Sequence, residues 1–519
     1  MKSLVAVLLL YTTSSVLFGQ ANPSNMPKVT TVDPRFQSYN IEMVEVIGGR
    51  FWRPYGSKPT TPPRPNGSAG ALPPDLFQQL PPIDLTNARL RKLAAALSPA
   101  YVRVSGTWAN TAFFQDSDAP APAKPPEGFN GVLTRAEWKG VIDFSRAVNA
   151  HLVTSFATSM GTRDATGLWT PVKAKKLVGY TQSIGGSIAA AEFMNEPTFA
   201  NIAGAPKGYD AAAYGRDFAV FQRFFRSALP HSILLGPGSV GEGIDLAGPM
   251  KLIPSKEMLQ AMGPNAVDAF SYHFYGTVSE RCGGKMGQEV KDDPGAALSD
   301  EWLSRTSTVE AFYAKLRDEY APGKPMWLTE TGEAACGGDR FAATYLDTFR
   351  YLDQLGQLAL RSVQTVMHNT LSASDYGLLD EKTLTPRPDY WAALLWHKTM
   401  GNTVLNAGNA PATSVHIYAH CMADHPGGVS LLALNLSRTE AQTLHVAQDS
   451  VRYTLTAPDL LGKSVQLNGR ELTLSSSGDV PQLQGVKAVK GNLSLPPASI
   501  TVLTSANAQN QACSATAHA

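Results

Sequence analysis

The chain carries little charge. Asp, Glu, Lys and Arg make up 17% of its 519 residues and leave a net charge of +1. A balance this close to neutral excludes the broadly basic surface that attracts nucleic acid or an anionic membrane. Cysteine is scarce, with four in all. In an exported chain four cysteines point to two disulfides rather than to metal ligands, and three pairings are possible. After the first twenty residues no apolar run is long enough to span a bilayer. The phosphate-cradling glycine loop and the Gly-x-Ser-x-Gly nucleophile elbow are both missing, and there is no internal repeat.

What is present is a large apolar fraction, 43%, with 44 glycines and 36 prolines, as expected of a loop-rich enzyme with a big core. Residues 1–21 read as a signal peptide. Lys2 supplies the positive start, Leu4 to Phe18 the apolar segment, and Gly19-Gln20-Ala21 the small residues for cleavage. Thr12, Thr13, Ser14 and Ser15 interrupt that segment, which is too short for an anchor. The expectation is a secreted or periplasmic protein with no membrane span after signal removal.

From residue 37 onward strand and helix patterns alternate. Strand patterns fall at 37–44, 100–106, 151–157, 187–194, 233–236, 267–275, 324–330 and 362–368. Helical spacing falls at 87–97, 135–150, 171–183, 214–229, 256–261, 306–319 and 340–355, with a closing helix at 388–400. Eight strands are the number that closes a (β/α)8 TIM barrel, which places the active site at the C-terminal strand ends. Residues 52–82, rich in Pro and Gly, read as one long surface loop. Past Gly401 the pattern becomes short alternating strands at 414–420, 430–436, 442–446, 464–467 and 499–504, a C-terminal β-sandwich. The domains are thus 22–400, the α/β barrel, and 401–519, the sandwich.

Two strand patterns end in a glutamate. Ala191-Glu192-Phe193-Met194-Asn195-Glu196-Pro197 stops at a proline that cannot extend a ladder. Met326-Trp327-Leu328-Thr329-Glu330-Thr331-Gly332 has the same form. Carboxylates at two barrel strand ends suggest a paired-carboxylate glycosidase. Glu196, at a buried strand end, suits a general acid/base whose pKa must be raised. Glu330 suits a nucleophile, which needs hydrogen-bond donors around it. Glu333 is its rival, three residues farther along the loop. His273 and Tyr275 share one strand face; either a tyrosine hydroxyl near the nucleophile holds it as carboxylate, or these aromatics merely floor the barrel. Gly337-Gly338 offers backbone N–H groups for an anion, or is an ordinary turn. His416, His420 and Cys421 have spacing that fits a metal, but strand packing explains them as well. Arg89, Arg91 and Lys92 read as the solvated face of a helix.

These residues resemble the heparanase-like glycoside hydrolases of family 79. The resembling segments, in order, are Leu97 to Thr107, Asn195-Glu196-Pro197, Tyr272-His273-Phe274-Tyr275, Trp327 to Thr331 with Gly337-Gly338, Asp375 to Asp380, and Pro388 to Trp391. The resemblance implies a retaining hydrolase of β-D-glucuronides that needs neither cofactor nor metal. Glu330 would be the nucleophile and Glu196 the acid/base, with their carboxyl groups about 5–5.5 Å apart. Asn195 would hold the sugar 2-hydroxyl, and Glu42, helped by Thr107, the ring hydroxyls. Gly337, Gly338 and Tyr376 would receive the uronate carboxylate, and His273 and Tyr275 would brace the nucleophile. An N-terminal segment would join the sandwich. Cys282 with Cys336 would pin neighbouring loops after strands six and seven, and Cys421 with Cys513 would match the family's bridge in the sandwich.

Ser105, standing where the family usually has glycine, departs from the pattern. The acidic loop with Glu333 and Asp339 disfavours a heavily sulfated polymer. Lys and Arg are scattered and net charge is near zero, without the basic clusters an endo enzyme on a heparan-like polymer should show, so the expected partner is a glucuronic-acid-containing oligo- or polysaccharide, cleaved from its end. The alternatives are an endo-β-glucuronidase on glycosaminoglycan-like polymers, a related retaining glycosidase on neutral sugars, and a carbohydrate-binding protein that kept the fold.

Overall fold

The computed structural model describes residues 20–58, 74–286 apart from 202, 247 and 249, and 293–514. The signal-peptide expectation falls almost wholly outside those residues. No helix within them is long and apolar enough to cross a membrane.

Eight parallel strands close into a barrel: β1 (Gln37–Glu42), β2 (Ala100–Ser105), β3 (Ala150–Ser155), β4 (Ala190–Glu192), β5 (Ile233–Ser239), β6 (Ala269–Tyr275), β7 (Met326–Gly332) and β8 (Val363–His368). Each strand leads to an outer helix: α1 (Ala88–Ala95), α2 (Arg135–Ala147), α3 (Val172–Ser183), α4 (Ala211–Ala228), α5 (Ser255–Met262), α6 (Asp300–Tyr320), α7 (Asp347–Leu360) and α8 (Pro388–Thr399). Helix starts carry local signals. Thr134 and Glu137 form a reciprocal capping box on α2, and Asp210 caps α4 through the N–H of Ala213.

Period-two alternation builds the interior in layers. Tyr101, Val153, Ala190, Leu235, Ala269, Trp327 and Met367 form one apolar plug across the lower barrel. Two residues farther along the strands the inward positions turn polar: Arg103, Ser155, Glu192, Ser271 and Thr329, all buried. This polar layer rests on the plug, toward the C-terminal strand ends.

The sandwich packs beside the barrel. Its larger sheet includes Lys28–Thr31, Met400–Leu405, Val415–Met422, Val429–Asn435, Ser499–Ser505 and Ser450–Thr456. Gln20–Ala21, Gln442–Val446 and Gly491–Leu495 form a second sheet, and Leu405, Leu431, Leu444, Leu495 and Leu503 fill the space between. Disulfides join Cys421 to Cys513 within the sandwich and Cys282 to Cys336 on the barrel.

The structure corrects several expectations. The proposed loop 52–82 contains half of a hairpin: Gly49–Trp52 pairs with Phe77–Leu80, and Trp52 stacks on Phe77 at 4.8 Å. Proline-rich flanks hide that four-residue strand in the sequence. The strand expected at 187–194 shrinks to β4, so Glu192 and not Glu196 occupies its tip. The helix expected from 340 begins at Asp347, because 340–346 is a series of turns. Ser450–Thr456 and Gly491–Leu495 are further strands outside the expected set, although Val451, Tyr453 and Leu455, and Leu493 and Leu495, alternate with polar residues.

Candidate active site

Glu196 lies four residues beyond the end of β4 in a left-handed backbone conformation, φ 48°. The chain leading to it is fixed on both sides. The Phe193 ring packs against Trp169, Tyr214, Phe218 and Phe221. The Asn110 amide clamps the Asn195 backbone: its Nδ2 donates to Asn195 O and its Oδ1 accepts from Asn195 N, both at 2.9 Å. Burial pushes the Glu196 carboxyl up to about 7; Arg103 partly opposes this and the charge of Glu192 adds to it. That is the range a general acid requires near neutral pH.

Glu330 owes its direction to a β-bulge. Tyr272 is opposite Leu328 and His273 is opposite Glu330, so β7 holds one extra residue there. Strict alternation would turn Glu330 away from Thr329; the bulge lets both face the interior. Thr329 Oγ1 donates to Glu192 Oε1 at 2.8 Å. Glu330 accepts from Tyr275 Oη at 2.7 Å on Oε1 and from Arg103 Nη1 at 2.9 Å on Oε2.

Arg103 is the hub. Its Nε and Nη2 hold Glu192 Oε2 at 3.2 and 2.9 Å, and Nη2 also donates to Asn195 Oδ1 at 2.8 Å. Burial disfavours its charge, but Glu192 and Glu330 outweigh that and raise its pKa. Burial likewise disfavours the Glu192 anion, yet Arg103, His273 and Thr329 bring its pKa below the usual value. Gly238, φ 74°, leaves room for that carboxylate: a β-carbon there would lie 3.0 Å from Glu192 Oε1.

His273 joins the two glutamates. Its Nδ1 is 3.1 Å from Glu196 Oε1 and 3.7 Å from Glu330 Oε2. Burial lowers its pKa to about 4, so the ring is neutral at neutral pH. Arg103 Nη2 faces Nε2 at 3.2 Å and can only donate, which assigns the proton to Nδ1, pointing at Glu196.

On the other side of Glu330, Asn369 Nδ2 lies within hydrogen-bond distance of Glu42 Oε1 (3.1 Å), Tyr275 Oη (3.0 Å) and Tyr376 Oη (3.1 Å). Burial raises the pKa of Glu42 well above the usual carboxylate range, and the nearby Glu330 charge adds to this. Gly106, φ 91°, lies so close to Glu42 that a β-carbon would overlap its carboxylate. Thr107 follows, half-buried, at the start of a short 3₁₀ turn.

Gly337 and Gly338 both have positive φ, 92° and 79°. The Gly338 N–H is not available to an anion, because it donates to Ala334 O at 3.0 Å. Gly337 O accepts from Asp375 N and Ser374 Oγ, which ties the loop after β7 to the loop after β8 beside Tyr376. Glu333 is buried outside this cluster and accepts from Asp339 N at 2.7 Å.

The metal reading of His416, His420 and Cys421 does not fit. His416 faces Asp353 and Asp300, His420 Nδ1 faces Gly401 O, and Cys421 is in a disulfide. The basic face of α1 is solvated as expected, with Arg89 and Lys92 exposed, and Lys92 pairs at the surface with Asp479 of the sandwich at 2.5 Å. Among the described residues, Glu196, His273 and Glu330 are the one group whose donor atoms converge closely enough for a metal, within 4.8 Å. The guanidinium of Arg103 already occupies the cation's role against Glu330.

The residues that sequence reasoning did not single out are Arg103, Glu192, Asn110, Thr329 and Asn369. Arg103 and Glu192 carry a signal, because a charged residue inside an apolar strand requires a buried partner.

A closed eight-stranded barrel with two convergent glutamates beyond β4 and on β7 defines the class: a barrel glycoside hydrolase. The sequence profile of the glycosyl hydrolase family 79 N-terminal domain matches residues 78–356, more than half the chain. The heparanase of Gallus gallus is 32% identical over 394 residues, 69% of this chain and 71% of that one. The baicalin-β-D-glucuronidase of Scutellaria baicalensis is 36% identical over 171 residues, 31% and 32% of the two chains. In fold, the chain resembles a 4-O-α-L-rhamnosyl-β-D-glucuronidase from Fusarium oxysporum, with TM-score 0.63, 15% identity, and coverage of 94% and 99%. The chain belongs to glycoside hydrolase family 79.

Proposed function

We propose that this chain is an exported, retaining β-D-glucuronidase that removes terminal glucuronic acid. The observation that carries the reading is the asymmetry of the two glutamates. One, Glu330, accepts hydrogen bonds from Tyr275 and Arg103; the other, Glu196, has its pKa raised to about 7 by burial. Their oxygens approach within 4.8 Å. Retaining enzymes hold the two carboxyl groups about 5–5.5 Å apart, whereas inverting ones need about 6.5–9.5 Å for a water.

In the first step Glu330 attacks the anomeric carbon, the bond to the leaving oxygen breaks, and Glu196 gives that oxygen its proton. In the second, Glu196 takes a proton from water, which attacks the anomeric carbon and releases Glu330. Asn195 Nδ2 and Glu42 Oε2 are buried and have no partner among the described residues, so they suit the 2-hydroxyl and a ring hydroxyl. Tyr376 Oη receives a hydrogen bond from Asn369 and keeps its own proton for the uronate carboxylate, with Gly337 beside it. The glucuronide assignment draws on the glucuronidase named among the relatives.

The test is hydrolysis of p-nitrophenyl β-D-glucuronide by wild type, Glu330→Gln and Glu196→Gln. Turnover in wild type, lost in Glu330→Gln, supports the reading together with exo access. Chain cleavage of a glucuronate polymer without turnover of the aryl glycoside makes the enzyme endo-acting. Faster turnover of aryl β-glucoside overturns the choice of sugar.

A further inference from the structure

The Cys282–Cys336 disulfide joins the segments after β6 and β7, and its chain neighbours are Arg281 and Gly337. Arg281 is buried, with a side chain 5% exposed. Its Nη1 donates to Cys336 O at 2.9 Å and Ser374 Oγ at 3.1 Å, both uncharged acceptors. Its Nη2 pairs with Asp375 on the other edge. The Tyr55 ring covers the guanidinium 4.2 Å away, and its hydroxyl accepts from Arg281 N. A β-carbon at Gly337 would collide with Nη1. The guanidinium therefore turns its Nη1 edge to Gly337 and its Nη2 edge to the Asp375 carboxylate.

The surroundings need such a charge. The Glu330 carboxylate already lies in the pocket, so a further carboxylate entering it meets repulsion and loses hydration. Arg103 is committed to Glu192 and Glu330. Of the other guanidinium groups near this loop, Arg387 donates to the carbonyls of Ser374, Asp375 and Gly377 and faces Asp380, and Arg340 lies exposed over the outer side of Tyr55 and pairs with Glu280. Arg281 remains as the cation nearest the Gly337–Tyr376 corner. Its charge reaches the Tyr376 hydroxyl, opposing the effect of burial there.

We infer that Arg281, acting through Gly337 and held by the Cys282–Cys336 bridge, makes this pocket select a uronic acid over the neutral hexose of the same shape. It does not touch the reacting atoms; it sets the potential where the carboxylate on carbon 5 of the sugar rests. This rests on the proposed glucuronidase reading.

The test compares p-nitrophenyl β-D-glucuronide with p-nitrophenyl β-D-glucoside for wild type, Arg281→Gln and Arg281→Lys. Arg281→Gln is expected to lower kcat/KM for the glucuronide about tenfold or more, the effect of one weakly screened charge, and to leave the glucoside within about threefold. Arg281→Lys is expected to restore most of the preference. Equal losses on both substrates would show a merely structural role and overturn the inference. Should Arg281→Gln fail to fold, wild type alone decides, through competitive inhibition by D-glucuronate against its neutral amide, D-glucuronamide. Binding of the acid about tenfold tighter supports a cationic subsite, and equal inhibition overturns it. Absence of any glucuronide turnover in wild type defeats the glucuronidase reading itself, whereas turnover with a ratio unchanged in Arg281→Gln defeats only the role of Arg281.

Discussion

Arg103 donates to Glu330 Oε2 at 2.9 Å through Nη1 and holds Glu192 with its other two nitrogens. One buried cation thus serves the proposed nucleophile and a second, fully buried carboxylate. Replacing it with an apolar side chain leaves Glu192 and Glu330 in a low-dielectric interior without their partner. Arg103→Met is expected to destabilise the protein by about 3–5 kcal/mol and to abolish turnover. Glu192→Gln keeps the shape and is expected to fold. Because the native Glu192 pKa is lowered, its contribution to stability is present above the ordinary carboxylate range and lost as pH falls through the lowered value. Thermal melts of wild type and Glu192→Gln between neutral and acidic pH should converge as acid is added.

Tyr275 presents its hydroxyl to Glu330 Oε1 at 2.7 Å and receives Asn369 Nδ2 at 3.0 Å. Tyr275→Phe removes that donor without emptying the ring's site. A hydrogen bond to a charged group contributes about 1.5–3 kcal/mol, so kcat/KM is expected to fall about 10- to 100-fold with the melting temperature little changed. A loss on the same scale as that of Glu330→Gln would give Tyr275 a larger part than bracing.

The Glu196 pKa of about 7 fixes the sign of the alkaline limb. The group must be protonated to donate to the leaving oxygen. Activity in kcat/KM should therefore be level below pH 7 on this limb and fall about tenfold per unit above it. Removing the group should remove the limb. Glu196→Ala with a dinitrophenyl glycoside, which needs no acid, is expected to retain measurable glycosylation, to lose the alkaline limb, and to be accelerated by azide. A β-configured azide product indicates retention; an α-configured one contradicts it.

The barrel was legible because short strand patterns rich in apolar residues alternate with amphipathic helices, a pattern the core itself requires. The two glutamates stood out in the sequence by their place near such strands, and the structure puts Glu330 within β7 and Glu196 four residues beyond β4. Three features were not legible. The bulge that turns Glu330 inward depends on pairing with β6, which no window of one strand contains. The Asn369 contacts join residues from β1, β6 and the loop after β8, which only closure of the barrel brings together. Arg103 was visible within Ala100-Tyr101-Val102-Arg103-Val104-Ser105, but strand pattern alone does not say which carboxylate answers it. The hairpin of Gly49–Trp52 with Phe77–Leu80 was hidden by the proline-rich segment between its strands.

Glu330 and Glu333 were rivals in the sequence, and the structure separates them by environment. Glu330 faces Tyr275, Arg103 and His273, while Glu333 accepts from the N–H of Asp339 in the loop behind. A 2-deoxy-2-fluoro glucuronyl fluoride should trap the nucleophile as a slowly hydrolysed ester. Peptide mass spectrometry is expected to find the label on Glu330. Glu333→Gln should be labelled at a rate within about threefold of wild type, because the change leaves the reacting carboxylate in place and acts only on loop packing, a cost of order 1 kcal/mol or less on the barrier. Label on Glu333, or failure of Glu333→Gln to be labelled while it remains folded, would transfer the nucleophile's role to the loop.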